Sequence, residues 1–88
     1  MIIGVNTSYT HENREYHIQC EDLGDIQRCL EIRVYNQGDI LWQKRIPYAA
    51  GIVPELERSQ ADPLIKEQMG KLVNTVKVAI SQNKLQTK

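Results

Sequence analysis

Phenylalanine is missing altogether, and the 88-residue chain has only five aromatic residues, four Tyr and one Trp. Its large core groups must therefore come from Ile, Leu, Val and Met, with Tyr16 and Trp42 as the bulky exceptions, their polar atoms reaching the core's edge. No apolar run approaches the roughly 18 residues a membrane helix needs, so a spanning helix is excluded. Formal net charge is zero, 11 basic residues against 11 acidic ones, which excludes a broad polyelectrolyte surface for nucleic acid or anionic lipid. The sequence lacks a Gly-rich phosphate loop, a nucleophile elbow and an HExxH pair. A chain of this length holds one core, so residues 1–88 read as a single small domain.

The ends and the cysteines bear on the compartment. Met1-Ile2-Ile3-Gly4-Val5 is apolar but has neither the basic leader nor the length of a secretory signal, and it reads as an edge strand or ordered tail. Asn6-Thr7-Ser8 fits a glycosylation acceptor, a three-residue match that nothing else supports. Two cysteines, Cys20 and Cys29, invite a disulfide, yet the register argues against one. Tyr16, Ile18 and Cys20 form one apolar row, and Leu30, Ile32 and Val34 form another. If the rows share a face, even positions pair with even positions, for instance Ile18 with Ile32 or Leu30. Cys20 then points inward and Cys29 outward. Reduced thiols and the missing signal together predict a cytosolic protein.

Alternation of apolar and polar residues governs the first half of the chain. Residues up to Tyr9 and Thr10 predict a first strand, with His11-Glu12-Asn13-Arg14 as a turn. Glu15 to Glu21 predicts the second strand, Asp22-Leu23-Gly24-Asp25 a solvated acidic loop, and Gln27 to Tyr35 the third strand. Asn36-Gln37-Gly38 suits a three-residue loop with Gly38 left-handed, pairing Val34 with Ile40 and Ile32 with Trp42. A two-residue Gln37-Gly38 loop would set Ile32 opposite Gln43, a poorer match of faces. The fourth strand then runs from about Asp39 to Ile46 and stops at Pro47.

Residues 48–61 carry little pattern beyond one helical turn at Pro54–Arg58. After that the period changes. Asp62 suits an N-cap and Pro63 a first helical position. Ile65, Met69, Leu72, Val73, Val76, Ala79 and Ile80 then recur at helical spacing, in a stripe roughly 120° wide. The expected architecture is α+β: an antiparallel meander of three to four strands with one C-terminal helix packed on one face.

Candidate chemistry is sparse. His17 and Cys20 stand three apart on a strand, so they point to opposite faces and cannot share a metal ion. Cys20 is expected among aliphatic groups, a setting that raises a thiol pKa, and no histidine is placed to activate Cys29. Glu21, Asp22 and Asp25 crowd one loop that is too short for a calcium site. No catalytic, cofactor-binding or metal-binding residue is expected, and the chain reads as a non-enzyme.

Surface features point instead to interaction. One helix covers one sheet face, leaving the other to water or a partner. That face would hold His17, Gln19, Glu31, Arg33, Tyr35, Leu41, Gln43 and Arg45, of which His17, Arg33, Tyr35, Leu41 and Arg45 form the candidate interaction surface. A free edge strand offers a second route, by strand addition or homodimer formation. Charge is also segregated: residues 12–31 sum to minus four and residues 68–88 to plus four. Lys66, Lys77, Lys84 and Lys88 fall within roughly 40° on a helical projection, beside the apolar stripe. Such a row is expected as a margin of snorkelling stems, with an acidic partner or nucleic acid as the competing use. Without a stacking aromatic nearby, nucleic acid is the weaker partner.

The segment Tyr16-His17-Ile18-Gln19-Cys20-Glu21-Asp22-Leu23-Gly24, followed by Val34-Tyr35-Asn36-Gln37-Gly38-Asp39-Ile40-Leu41, resembles a small bacterial family of short proteins with no assigned activity, some joined to other domains. The resemblance spans residues 14–48 and reaches the helix only through periodicity. In that family Thr commonly stands where this chain has Cys20. The resemblance implies a strand meander with a helix and a stand-alone or accessory role. It brings no activity, cofactor or catalytic residue.

Overall fold

A computed structural model describes residues 4–84. Four strands, β1 (Gly4–His11), β2 (Arg14–Asp22), β3 (Cys29–Asn36) and β4 (Asp39–Pro47), precede one helix, α1 (Arg58–Ser81). The strands form one antiparallel sheet in sequence order, β1-β2-β3-β4. The protein is thus an α+β meander with a C-terminal helix.

Two tight hairpins set the sheet. His11 faces Arg14, so Glu12 and Asn13 alone make the first turn, with φ of 52° and 65°. Asn36 faces Asp39, so Gln37 and Gly38 make the second, with φ of 52° and 86°. Positive φ at both central positions marks type I′ turns, whose twist matches that of the strands. His11, expected in a turn, is the last residue of β1 instead.

The second hairpin corrects the expected three-residue loop. Tyr35 faces Ile40 while Val34 faces Trp42, which leaves Leu41 as an extra residue on β4. This bulge shifts the register by one step, so the two-residue loop no longer places Ile32 opposite Gln43. Ile32 faces Lys44 and Leu30 faces Ile46. Even positions also pair across β2 and β3, with Ile18 opposite Val34 and Cys20 opposite Ile32. Cys20 is buried, Cys29 lies on the other face half-buried, and both are free thiols.

Core residues come from the inner sheet face (Ile18, Cys20, Leu30, Ile32, Val34), from Ile52, and from α1 (Ala61, Ile65, Met69, Val73, Val76, Ile80). Tyr16 and Trp42 pack against this cluster partly buried. The helix begins one turn before the expected Asp62-Pro63 start. Glu57 is its N-cap, and the Gln60 side chain accepts from the Glu57 amide at 3.4 Å. Asp62 lies inside the helix and not at its cap, with its carboxylate 2.7 Å from the Arg58 guanidinium one turn back. At the other end Asn83 is left-handed at φ 56°, and amides of Asn83 and Lys84 donate to Ile80 and Ala79. That Schellman closure ends α1 at Ser81.

The segment that carried little sequence pattern is held from both sides. Arg28, left-handed at φ 52°, donates to the Ile52 carbonyl at 2.6 Å and lies over the Tyr48 ring. Gln68 of α1 accepts from the Ala49 amide and donates to the Pro47 carbonyl. Ile52 then seats in the core, 5% exposed. The backbone of α1 runs over β1, β2 and β3, and the Gln68 side chain meets Pro47, the last residue of β4.

Candidate interaction surface

The register fixes which side chains share the uncovered face. They are Asn6, Ser8 and Thr10 of β1, Glu15, His17, Gln19 and Glu21 of β2, Glu31, Arg33 and Tyr35 of β3, and Ile40, Gln43 and Arg45 of β4. The face divides into two halves of different chemistry.

Around Glu21, Glu31 and Arg45, at the end away from the two hairpin turns, it is charged, and the charges are matched. Glu21 and Glu31 stand directly opposite each other, an arrangement that repels unless bridged. Arg33 bridges them, at 3.4 Å from Glu21 and 3.5 Å from Glu31. Arg45 donates to Glu31 at 3.1 Å, as does Gln43. Glu31 is only 8% exposed although no layer covers it, because its neighbours close over it. Its pKa is held below the usual range chiefly by the Arg45 hydrogen bond. That bond outweighs the opposing effect of burial, helped by Gln43 and by the charges of Arg33 and Arg45. Two candidate residues, Arg33 and Arg45, are therefore brought together here and spent on internal carboxylates.

Toward the two hairpin turns the face carries less charge. His17 and Tyr35, two further candidates, are cross-strand neighbours. His17 Nδ1 lies 3.3 Å from Ser8 Oγ, and its Nε2 lies 3.5 Å from Glu15 Oε1. Both His17 and Glu15 are more than half exposed, so this trio sits in water and lacks the dry setting that activates a hydroxyl. Asn6, Ser8, His17, Gln19, Tyr35 and Gly38 border a shallow hollow of about 390 Å³. Leu41, the fifth candidate, is the half-buried bulge residue, set apart from the regular row by the register shift.

The lysine row does not persist as a stripe. Lys66 is exposed on α1 and Lys77 half-buried, but Lys84 lies past the Schellman closure and leaves the helical projection. Lys88 lies outside the described residues. Lys71 pairs with Glu67 at 3.2 Å.

A second group of charges lies beneath the N-terminus of α1. Asp22, expected in a solvated loop, is instead completely buried. It receives hydrogen bonds from the Tyr48 hydroxyl, from Arg58 at 2.7 Å and from the Gly24 amide at 3.0 Å. Burial opposes its charge, yet the hydrogen bonds and the Arg58 charge prevail and hold its pKa below the usual carboxylate range. Arg58 also reaches Asp25 at 2.9 Å and Asp62 at 2.7 Å. Protein donors occupy the Asp22 carboxylate, which suits it to fastening the helix onto the sheet. A sequence signal was present: the inward even row Tyr16, Ile18, Cys20 extends one step to Asp22.

Cys20 sits beside this group, and burial together with the Asp22 charge pushes its thiol up to about 11. Among the described residues, no three His, Cys, Asp or Glu side chains are grouped to hold a metal ion, and no helix is long and apolar enough to cross a membrane. No protein family, curated protein or solved structure matches this chain.

Proposed function

We propose that this protein is a non-catalytic interaction or accessory module of the cytosol, binding protein partners through its uncovered sheet, on the outer face or along an edge strand. The observation that carries the reading is the single-sided cover. One helix lies on one face of a four-stranded sheet, and the other face presents Tyr35, Ile40 and His17 with no layer of the described residues over them. Ile40 is 51% exposed, and Tyr35 is a half-buried aromatic group between His17 and Ile40. Strand addition suits the same architecture, since among the described residues both edges are open.

The test is capture from a native extract on the protein immobilised through its C-terminal end, with Tyr35→Glu as the comparison. A partner retained by the wild-type chain and lost with Tyr35→Glu, while both give the same far-UV circular dichroism, supports the reading. Equal capture by both chains removes the outer face, and no specific capture by either removes the reading.

A further inference from the structure

The two open edges differ in their defences. β4 carries the devices that block strand addition: the Leu41 bulge, Lys44 and Arg45, and Pro47 at its end. β1 carries none. Its eight residues, GVNTSYTH, pair with β2 in unbroken register and include no Lys, Arg, Asp, Glu or Pro. Val, Thr and Tyr are also good strand formers.

Ladder alternation shows which backbone groups β1 leaves unused. In an antiparallel pair, the amide and carbonyl of one residue point to the same side, and the side alternates along the strand. The Leu23 amide donates to Cys29, so odd positions in the frame of β2 face β3. Even positions, Ile18 and Cys20, then face β1 and bond with Thr7 and Val5 opposite them. The amides and carbonyls of Asn6, Ser8 and Thr10 are left on the free side. The same reasoning from the Tyr48-to-Arg28 bond puts the outward groups of β4 at Gln43 and Arg45.

We propose that β1 pairs with β1 of a second copy of this chain, antiparallel about a twofold axis at Thr7, joining two four-stranded sheets into one. The proposal rests on the interaction reading above and names its partner and its edge. Bonding requires outward positions to face outward positions, so Asn6 lies opposite the second copy's Ser8 and Gly4 opposite its Thr10. Thr7 then meets Thr7, and Val5 meets Tyr9, an aromatic and β-branched pair of the kind that stabilises sheets. A self-pairing strand meets its own image, so any charge on it faces a like charge nearby. β1 is the edge that avoids this, and its flanking outer face, Asn6 and Ser8, is neutral too. A single strand pair is a small interface, so the dimer is concentration-dependent.

The experiment is sedimentation velocity over a concentration series for the wild-type chain, Ser8→Pro, Ser8→Ala and Gln43→Pro, with disulfide trapping by Thr7→Cys in a Cys29→Ser background. Ser8→Pro removes an outward amide without removing a β1–β2 bond, so its thermal midpoint stays near that of Ser8→Ala. Its dimer weakens by at least about tenfold, because each copy loses a donor. Ser8→Ala and Gln43→Pro dimerise like the wild type, and Thr7→Cys gives a covalent dimer under mild oxidation. A wild-type chain that stays monomeric, a dimer dissolved by Gln43→Pro but untouched by Ser8→Pro, or a Thr7→Cys chain that fails to cross-link would each overturn the proposal. A monomer that still captures a partner through Tyr35 leaves the broader reading standing, whereas a monomer that captures nothing ends both.

Discussion

Replacing Arg58 with alanine is expected to cost about 2–3 kcal/mol of folding stability. Asp22 is 0% exposed and receives the Arg58 guanidinium at 2.7 Å. Breaking a buried ion pair by removing one partner costs roughly 3–5 kcal/mol when the remaining charge is left without donors. Here the Tyr48 hydroxyl and the Gly24 amide still donate to the carboxylate, and the Arg58 side chain is itself 26% exposed. Both facts bring the figure down toward that of one charged hydrogen bond, roughly 1.5–3 kcal/mol. The pair with Asp25, whose side chain is 64% exposed, adds at most about 1 kcal/mol. A domain of this size loses roughly 4–8 °C per kcal/mol, so the midpoint falls by about 10–20 °C.

Urea unfolding followed by far-UV circular dichroism measures the loss, with an unchanged slope showing that both states keep their extent. The pH dependence separates the ion pair from simple loss of packing. The folded-state pKa of Asp22 is lowered, so its contribution is present above the unfolded-state pKa and is lost as pH falls through the folded value. In Arg58→Ala the opposing effect of burial is less well countered, so the folded pKa rises and Asp22 takes up its proton at higher pH. The deficit is therefore complete near neutrality and shrinks through the acid range as both chains protonate Asp22. In an Asp22→Asn background Arg58→Ala should cost less than about 1 kcal/mol. A loss below about 0.5 kcal/mol at neutral pH would refute the reasoning, as would a deficit that is the same in acid or undiminished in the Asp22→Asn background.

Two other regions give sharp outcomes. Alkylation of the native protein with iodoacetamide at neutral pH, read by mass spectrometry, should modify Cys29 and spare Cys20, whose buried thiol titrates near 11; equal rates at both sites would contradict the buried placement. Two glycines should respond to alanine with opposite signs in urea unfolding, since a Cβ at Gly38 or Gly70 meets no heavy atom within 4 Å. Gly38→Ala, at φ 86° in a type I′ turn, should cost about 1–2 kcal/mol, whereas Gly70→Ala in mid-helix should gain about 0.5–1 kcal/mol. Matching signs would mean that conformation is not what distinguishes the two sites.

Those features whose periodicity comes from burial were legible in the sequence. Ile18, Cys20, Leu30, Ile32 and Val34 alternate because they line one sheet face, and Ile65, Met69, Val73, Val76 and Ile80 recur because they line one helix face. Local signals misled where a longer-range partner competed for the same group. Asp62-Pro63 looks like a helix start, but the Glu57–Gln60 capping box starts the helix one turn earlier and leaves Asp62 to pair with Arg58. Asp22 looks solvated until Tyr48 and Arg58, distant in sequence, converge on it. The bulge at Leu41 was hidden because a two-residue loop and a one-step shift together preserve the even pairing that a three-residue loop was invoked to explain. The lysine row is shortened for a local reason, since the left-handed Asn83 ends the helix before Lys84.

The uneven edges follow from how much one helix can cover. A helix is roughly 10–12 Å across, and strands lie about 4.8 Å apart, so it roofs about three strands. In this protein those three are β1, β2 and β3. β4 lies beyond the backbone of the helix, its inner row only half-buried at Trp42 and Ile46 and its outer Ile40 half-exposed, which makes it the strand most in need of protection from random pairing. It has that protection in the bulge, Lys44, Arg45 and Pro47. β1 has its inner row, Val5 and Tyr9, packed against the core under the helix, and its backbone edge is as open as that of β4. Roofing covers a face but does nothing for unpaired amides and carbonyls, so it cannot account for the lack of charge, proline or bulge along β1. An edge left bare beside one heavily defended is what a sheet with a designated pairing strand requires. On the proposed pairing, that asymmetry makes β1 the strand a second copy meets.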